Sequence, residues 1–174
     1  MGYSGGTSPD PTYHNIGDHM ESIQIRYDPD RVSYEEILKV FWDEHDHTGQ
    51  PWSRQYMNAA FFHSKEQKEM IITSMALLPG KVRTEVIPYS EFFEAEDYHQ
   101  KFYLQRHAGI KQEYMEIYPV FQDFVRSAAV ARVNGMLGGY GSGPLFEKNA
   151  PGLGLSQKSE AYLRTRLFKR DPGE

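Results

Sequence analysis

Residues 21–44 read ESIQIRYDPDRVSYEEILKVFWDE, and this stretch decides the fold class. Its first part, residues 21–27, alternates between apolar and polar side chains, which predicts a β-strand with one buried face. An Asp-Pro pair ends that strand. Ser33 and Glu36 then have the spacing of a capping box, so a helix is expected from about residue 34 to about residue 44. A strand, a turn and a helix in succession indicate an α/β fold.

The alternation of strands and helices continues downstream. Strands are predicted over residues 55–62 and 84–88, and a second capping box, Ser64 with Gln67, opens a helix between them. Further helices are expected over residues 95–107, 111–118 and 121–137. Before all of these, residues 1–20 are rich in glycine and proline, which is typical of an irregular loop.

Glycine and proline interrupt the chain again after residue 138. Packed elements rarely tolerate so many turn formers, so residues 139–174 are expected to be a flexible, charged tail with at most a short helix near residues 161–168. The predicted organisation is therefore one α/β domain over residues 1–138, ending in helices, followed by that tail.

Composition narrows the classes of function. The 174 residues are 39% hydrophobic, enough for one globular domain with a core. The net charge is −5 and the basic residues form no stripe, which argues against a nucleic-acid partner. No apolar run is long enough for a membrane span and no leader pattern follows Met1, so a cytoplasmic protein is expected. The absence of cysteine excludes disulfides and cysteine catalysis within these residues.

Eight short motifs occur in a fixed order and spacing across roughly the first 105 residues. Each motif alone is weak evidence for a family, but the eight together are specific. They are Gly2-Tyr3-Ser4-Gly5-Gly6, Pro11-Thr12-Tyr13, His19-Met20-Glu21, Tyr27-Asp28-Pro29, Ser33-Tyr34-Glu35, Phe41-Trp42, Gln55-Tyr56 and Ala95-Glu96-Asp97-Tyr98-His99-Gln100. With these motifs in this order, the chain resembles the peptide methionine sulfoxide reductase A family. The resemblance implies a two-layer α/β sandwich with a mixed sheet.

The resemblance also implies a reaction, the reduction of methionine-S-sulfoxide, free or in proteins, by attack of a cysteine thiolate on the sulfoxide sulfur. The sulfenic acid that remains is reduced by thioredoxin or another thiol, and no cofactor, metal or permanent partner subunit is expected. Negative charge gathers on the sulfoxide oxygen, so the site needs a proton donor and neutral hydrogen-bond donors. By motif match, Glu21 is the expected acid and Tyr13 and Tyr56 the expected hydroxyl donors.

The family carries its cysteine in a Gly-Cys-Phe-Trp-Gly segment upstream of the Gly-Tyr-Ser-Gly-Gly motif, where this sequence has only Met1. The expectation is an N-terminally truncated reductase that is inactive as it stands. The alternative is a cysteine-free protein that binds oxidised methionine peptides without reducing them. A third possibility is an assembly role for the apolar stripe within residues 121–133, although core packing is the favoured interpretation of that stripe.

Two local features can each be interpreted in two ways: the loop that contains Trp52, and a group of residues of the types that ligate metals. The loop before Gln55 is shorter than in the family and lacks its aspartate, and Trp52 in this loop either closes a pocket over a methyl group or covers core surface. Several residues have the types that ligate metals, namely Glu44, His45, Asp46 and His47, with His14, His19 and His99 elsewhere. Their spacing places them on no common face, so no metal site is expected. Asp97 and His99 are expected to fix a helix terminus.

Overall fold

The computed structural model describes residues 1–168, and the chain divides into two compact units. The first unit comprises Met1–Glu96 and the second begins at Asp97, whereas the sequence predicted a division after residue 138. The last part of the predicted tail, residues 169–174, lies outside the described residues. No helix within residues 1–168 is both long enough and apolar enough to cross a membrane.

The first unit has a mixed α/β architecture, as predicted. Its elements are β1 (Gly2–Ser4), β2 (Met20–Ser22), α1 (Tyr34–Asp43), β3 (Ala59–Phe62), α2 (Lys65–Met75), β4 (Glu85–Pro88) and β5 (Phe92–Glu94). β2, β1 and β5 form an antiparallel sheet with β1 in the centre, and β3 pairs with β4 in a parallel sheet. In the antiparallel sheet, Tyr3 lies opposite both Glu21 and Phe93.

Local capping accounts for both helices of this unit. The Ser33 hydroxyl accepts from the Glu36 N–H, and the Glu36 carboxylate accepts from the Ser33 N–H at 2.7 Å, which confirms the first capping box. The Ser64 hydroxyl caps α2 by accepting from the Gln67 N–H, but the predicted second capping box is wrong in its other half, because the Gln67 side chain accepts from the N–H of His63 and not from that of Ser64. The two helices and β3 enclose a small core. Its buried members are Leu38, Trp42, Ala60 and Ile71.

The strand predicted over residues 21–27 is shorter in the structure. Ser22 pairs with Gly2, the first residue of β1, so the chain after Ser22 runs past the end of its neighbour and has no ladder to join. Ile23 and Ile25 are consequently 71% and 56% exposed, and the predicted buried face is wrong at these positions.

β1 itself was missed, because residues 1–20 were interpreted as a loop throughout. Three residues are too few to show an alternating pattern. Gly2 allows β5 to approach closely, since a Cβ at this position would lie 2.3 Å from the Phe93 carbonyl oxygen. At the other end of the strand, Gly5 turns the chain with a φ of 78°.

Three further predicted elements are interrupted. The strand predicted from residue 55 begins at Ala59, because Arg54–Tyr56 forms a 3₁₀ turn. The helix predicted over residues 95–107 breaks at Lys101, which adopts a left-handed φ of 47°. The helix predicted over 121–137 divides at Ser127, whose hydroxyl caps the following helix.

The described part of the second unit is helical. Its helices are α3 (Phe102–Gln105), α4 (Ala108–Ile117), α5 (Phe121–Arg126), α6 (Ala128–Gly138), α7 (Gly143–Asn149) and α8 (Gln157–Phe168), with 3₁₀ turns at Asp97–His99 and Ala150–Gly152. They surround one apolar core. Phe124 and Val133 of the apolar stripe are fully buried there, which supports core packing as the use of that stripe.

The prediction of a flexible tail is wrong for residues 143–168. Phe146 and Leu163 are fully buried in the core of the second unit, and the Tyr114 hydroxyl donates to the Leu153 carbonyl at 2.8 Å. The glycines that suggested flexibility stand largely at helix ends and turns, where Gly139 ends α6 with a left-handed conformation. Burial of the apolar side chains between them outweighs the low local helix propensity.

Candidate functional site

The loop between β1 and β2 is fixed at its base by two adjacent residues. The Asp18 carboxylate accepts hydrogen bonds from the N–H groups of Thr7 and Ser8 at 2.9 Å and from both hydroxyls. These bonds hold the pKa of Asp18 well below its usual range. His19 is buried, and its Nδ1 accepts from the Gly6 N–H at 3.2 Å while its Nε2 donates to the Ser8 carbonyl at 2.8 Å. The loop is therefore held by charge and by a defined histidine tautomer.

Arg54 joins this loop to the 3₁₀ turn Arg54–Tyr56. Its guanidinium donates to the carbonyl oxygens of Gly5 and Asp18, at 3.2 Å and 3.4 Å, and forms an ion pair of 3.4 Å with Glu85. One side chain thus contacts both ends of the loop and β4. The turn that carries Tyr56 is placed directly against the loop that carries Tyr13.

Tyr13 is positioned by Glu96. The Tyr13 N–H donates to Oε1 of Glu96 at 3.0 Å, and the hydroxyl of Tyr3 donates to Oε2 at 2.7 Å. Tyr3 belongs to the central strand β1 and is fully buried. Glu96 therefore connects the loop that carries Tyr13 to the central strand of the sheet.

Glu21 lies in β2 and is held from the turn. Its Oε1 accepts a hydrogen bond of 2.6 Å from Nε2 of Gln55, the residue before Tyr56. The side chain is half-buried, and the strand pairing of Glu21 with Tyr3 fixes its backbone. A carboxyl restrained in this way is oriented for a ligand without being closed off from it.

The structure brings Tyr13, Glu21 and Tyr56 together. A hydrogen bond between the Tyr56 and Tyr13 side chains is the main cause of a raised pKa at Tyr56, followed by desolvation and by the charges of Tyr13 and Glu21. Tyr56 thus keeps its proton at neutral pH and is a neutral donor. Two phenols in contact, with a carboxyl held by the neighbouring Gln55, suit a ligand with a strongly accepting oxygen. Their catalytic and binding roles remain predictions.

Sequence reasoning missed the residues that hold this site. Gln55 and Glu96 were part of the motifs quoted above, and Arg54 is adjacent to them, but none was given a role. A signal was available for Gln55, which precedes the predicted site residue Tyr56, although the sequence did not identify its bonding partner. The contacts of Arg54 could not be anticipated, because its partners lie 31 to 49 residues away.

Trp52 does not cover the core. Its side chain is 83% exposed, and its ring lies 4.9 Å from the ring of Tyr56 at an angle of 37°. The core-covering interpretation is therefore wrong, and the aromatic ring stands at the margin of the site.

The histidines near the end of α1 form hydrogen bonds within the fold. Nε2 of His45 accepts from the Thr84 hydroxyl at 2.9 Å, and Nε2 of His47 donates to the Pro79 carbonyl at 3.2 Å. Asp46 accepts from the N–H and the hydroxyl of Thr48. Within residues 1–168, no three histidine, aspartate or glutamate side chains are grouped so that they could hold a metal ion.

Replacement of Asp18 by asparagine should lower thermal stability in a pH-dependent way. Because the folded-state pKa of Asp18 lies below its ordinary value of 3.8, its contribution is present above that value and is lost as the pH falls through the folded-state pKa. The gap in Tm between wild type and Asp18→Asn should be largest near neutral pH and shrink in acid. Thermal melts at a series of pH values measure it. Asp30→Asn, at an exposed position, is the control, and a gap that is constant with pH would contradict this origin.

Comparisons with known proteins agree with the geometry. The family model for peptide methionine sulfoxide reductase matches residues 1–132. The chain is 33% identical over 168 residues to a peptide methionine sulfoxide reductase of Drosophila melanogaster, covering 93% of this chain and 67% of that protein. It is 37% identical over 139 residues to that of Sulfolobus acidocaldarius, covering 72% and 78%. For the Mycolicibacterium paratuberculosis protein the identity is 42% over 118 residues, covering 62% and 68%. The chain belongs to the peptide methionine sulfoxide reductase family.

Proposed function

We propose that Tyr13, Glu21 and Tyr56 bind and protonate the oxygen of methionine-S-sulfoxide. The observation that carries this proposal is the pair of links made by two adjacent residues: the Tyr56 side chain contacts that of Tyr13, and Gln55 donates to the carboxyl of Glu21 at 2.6 Å. A sulfoxide oxygen is a strong acceptor without a donor of its own, so a ligand oxygen can replace the bond between the phenols with bonds to both. The family membership supports the same ligand.

The reaction assigns a distinct task to each group. A thiolate attacks the sulfoxide sulfur, the S–O bond breaks, and the oxygen ends on the attacking sulfur as a sulfenic acid while methionine leaves as the thioether. This transfer takes up one proton, which Glu21 supplies, and the two phenols stabilise the charge on the oxygen as the S–O bond breaks. Gln55 keeps the carboxyl of Glu21 in place.

The attacking thiolate has no source within these residues, because the 174-residue sequence contains no cysteine. We therefore assign to this chain the binding and proton-donating part of the site, without turnover. A thiol that completed the site would be regenerated by thioredoxin or a small dithiol, with no bound cofactor.

The assay that tests this assignment uses the purified 174-residue chain with N-acetylmethionine-S-sulfoxide and dithiothreitol or thioredoxin. Formation of N-acetylmethionine is measured by chromatography. It is expected to stay at the rate seen without protein, because the chain offers no thiol that could attack the sulfoxide and then be reduced. A calorimetric titration of the same chain with the same ligand is expected to show binding.

Two controls separate the outcomes. The R-sulfoxide should bind more weakly than the S-sulfoxide, because the same hydroxyls cannot reach its oxygen when the rest of the ligand is held in place. Turnover above background would contradict the assignment that this chain lacks the attacking nucleophile. Absence of binding would contradict the proposed role of the three side chains.

A further inference from the structure

One large aromatic side chain stands exposed at the margin of the site. Trp52 is 83% exposed, whereas the other tryptophan, Trp42, is 7% exposed and donates from its indole N–H to Ser74 at 2.9 Å. Tryptophan is highly buried on average in folded proteins, and exposed tryptophans at binding surfaces supply much of the affinity for partners. The exposure of Trp52 therefore points to contact with a ligand.

Trp52 stands two residues before the 3₁₀ turn Arg54–Tyr56, and that turn is restrained. Arg54 donates to the carbonyls of Gly5 and Asp18, and Gln55 donates to Glu21. The indole also packs against the ring of Tyr56 at 4.9 Å. The contact with Tyr56 restricts the indole, so it loses less conformational entropy on binding than a side chain without such a contact.

Tyr56 has two neighbours of different character. Its hydroxyl bonds to Tyr13, where the proposed function places the sulfoxide oxygen, and its ring contacts the indole of Trp52. A ligand anchored by its oxygen at the hydroxyls therefore has the exposed indole beside it, one tyrosine ring away. An indole at this distance from the oxygen can contact groups beyond the methionine side chain, namely the residues that flank it in a peptide.

We propose that Trp52 is a specificity-determining residue that contacts an apolar side chain next to an oxidised methionine, so that the site favours peptide-bound methionine sulfoxide in apolar surroundings. This inference rests on the proposed function of Tyr13, Glu21 and Tyr56. It adds the class of substrate, a polypeptide with apolar flanking residues, and the residue that recognises it.

The test is a two-by-two comparison by calorimetry. Wild type and Trp52→Ala are each titrated with two blocked tripeptides that carry methionine-S-sulfoxide between two leucines or between two glycines. Wild type is expected to bind the leucine peptide about five to ten times more tightly, since an apolar side chain buries its surface on the indole. Trp52→Ala should reduce this ratio to near one, with less than about a twofold change for the glycine peptide.

Two further variants control the comparison. Trp52→Phe keeps an aromatic ring and should retain part of the preference. Leu77→Ala removes an apolar side chain just after α2 that is also 83% exposed and should leave both affinities unchanged. Circular dichroism melts should give the same Tm for all variants, because neither position is buried.

The possible outcomes distinguish a failure of the role of Trp52 from a failure of the proposed function of Tyr13, Glu21 and Tyr56. A leucine-to-glycine ratio that Trp52→Ala leaves unchanged overturns the role of Trp52, as does an equal loss for both peptides, which would indicate a merely structural effect. Binding of neither peptide by wild type overturns the proposed function, and the role of Trp52 falls with it.

Discussion

Phe146→Ala is expected to lower the free energy of unfolding of the second unit by about 3–5 kcal/mol, the usual cost of removing a buried phenylalanine. The side chain of Phe146 is fully buried in the core formed by the helices of that unit. Its deletion removes apolar contacts and leaves a cavity that rigid neighbours fill only in part. Denaturant unfolding followed by far-ultraviolet circular dichroism measures the change.

Leu145→Ala is the matched control for Phe146→Ala, because Leu145 is adjacent on α7 and 47% exposed. Its effect is expected to stay below about 1 kcal/mol, as for most partly exposed positions. Similar small effects from both substitutions would contradict the packing of α7 into the core and restore the idea of a loose tail.

The double substitution Tyr13→Phe and Tyr56→Phe is expected to weaken binding of N-acetylmethionine-S-sulfoxide by about ten- to a hundredfold. It removes both hydroxyl donors to the ligand oxygen and keeps both rings, and each neutral hydrogen bond contributes about 0.5–1.5 kcal/mol. Each single substitution should cost less than the pair, because the remaining phenol can turn its hydroxyl to the oxygen. Calorimetric titration of the three variants and wild type measures the series.

Tyr89→Phe is the control for the phenol substitutions, since it deletes a hydroxyl from a tyrosine whose ring stacks on His63 at 4.1 Å. Unchanged affinity is expected for that variant. An affinity of the double variant equal to that of wild type would mean that the two phenols do not contact the ligand oxygen.

The elements that the sequence predicted well are those set by local hydrogen bonds. Helix α1 begins at Tyr34 because Ser33 and Glu36 bond to each other's N–H groups, and α2 begins after Ser64 because the Ser64 hydroxyl accepts from the Gln67 N–H. Both starting points can be recognised from four consecutive residues. Such signals survive in any tertiary context that leaves the helix end in water.

The elements that it missed depend on distant partners. Strand β1 exists because β2 and β5 flank it, and their residues lie about 20 and 90 positions further along the chain. The helices after residue 142 depend in the same way on a core shared with α4, α5 and α6. Gly143 and Pro144 were interpreted as loop formers, but they stand in the first turn of α7 behind the Ser142 cap, where proline is favourable.

The candidate site was also predicted only in part: its residues were identified from the sequence, but the bonds that position them were not. Motif resemblance selected Tyr13, Glu21 and Tyr56, and the structure places them together although up to 43 residues separate them. What no motif showed is how they are held: Glu96 bonds to the backbone of Tyr13, and Gln55 bonds to Glu21. These bonds join residues 83 and 34 positions apart, so they follow from the folded geometry alone.

The most direct measurement compares the affinities of the wild-type chain for two ligands that differ by one oxygen atom, N-acetylmethionine-S-sulfoxide and N-acetylmethionine. If Tyr13, Glu21 and Tyr56 bind the sulfoxide oxygen, the sulfoxide should bind at least about tenfold more tightly, because the thioether leaves the two hydroxyls and the carboxyl without a ligand acceptor. Equal affinity for the two ligands, or tighter binding of the thioether, would contradict the assignment.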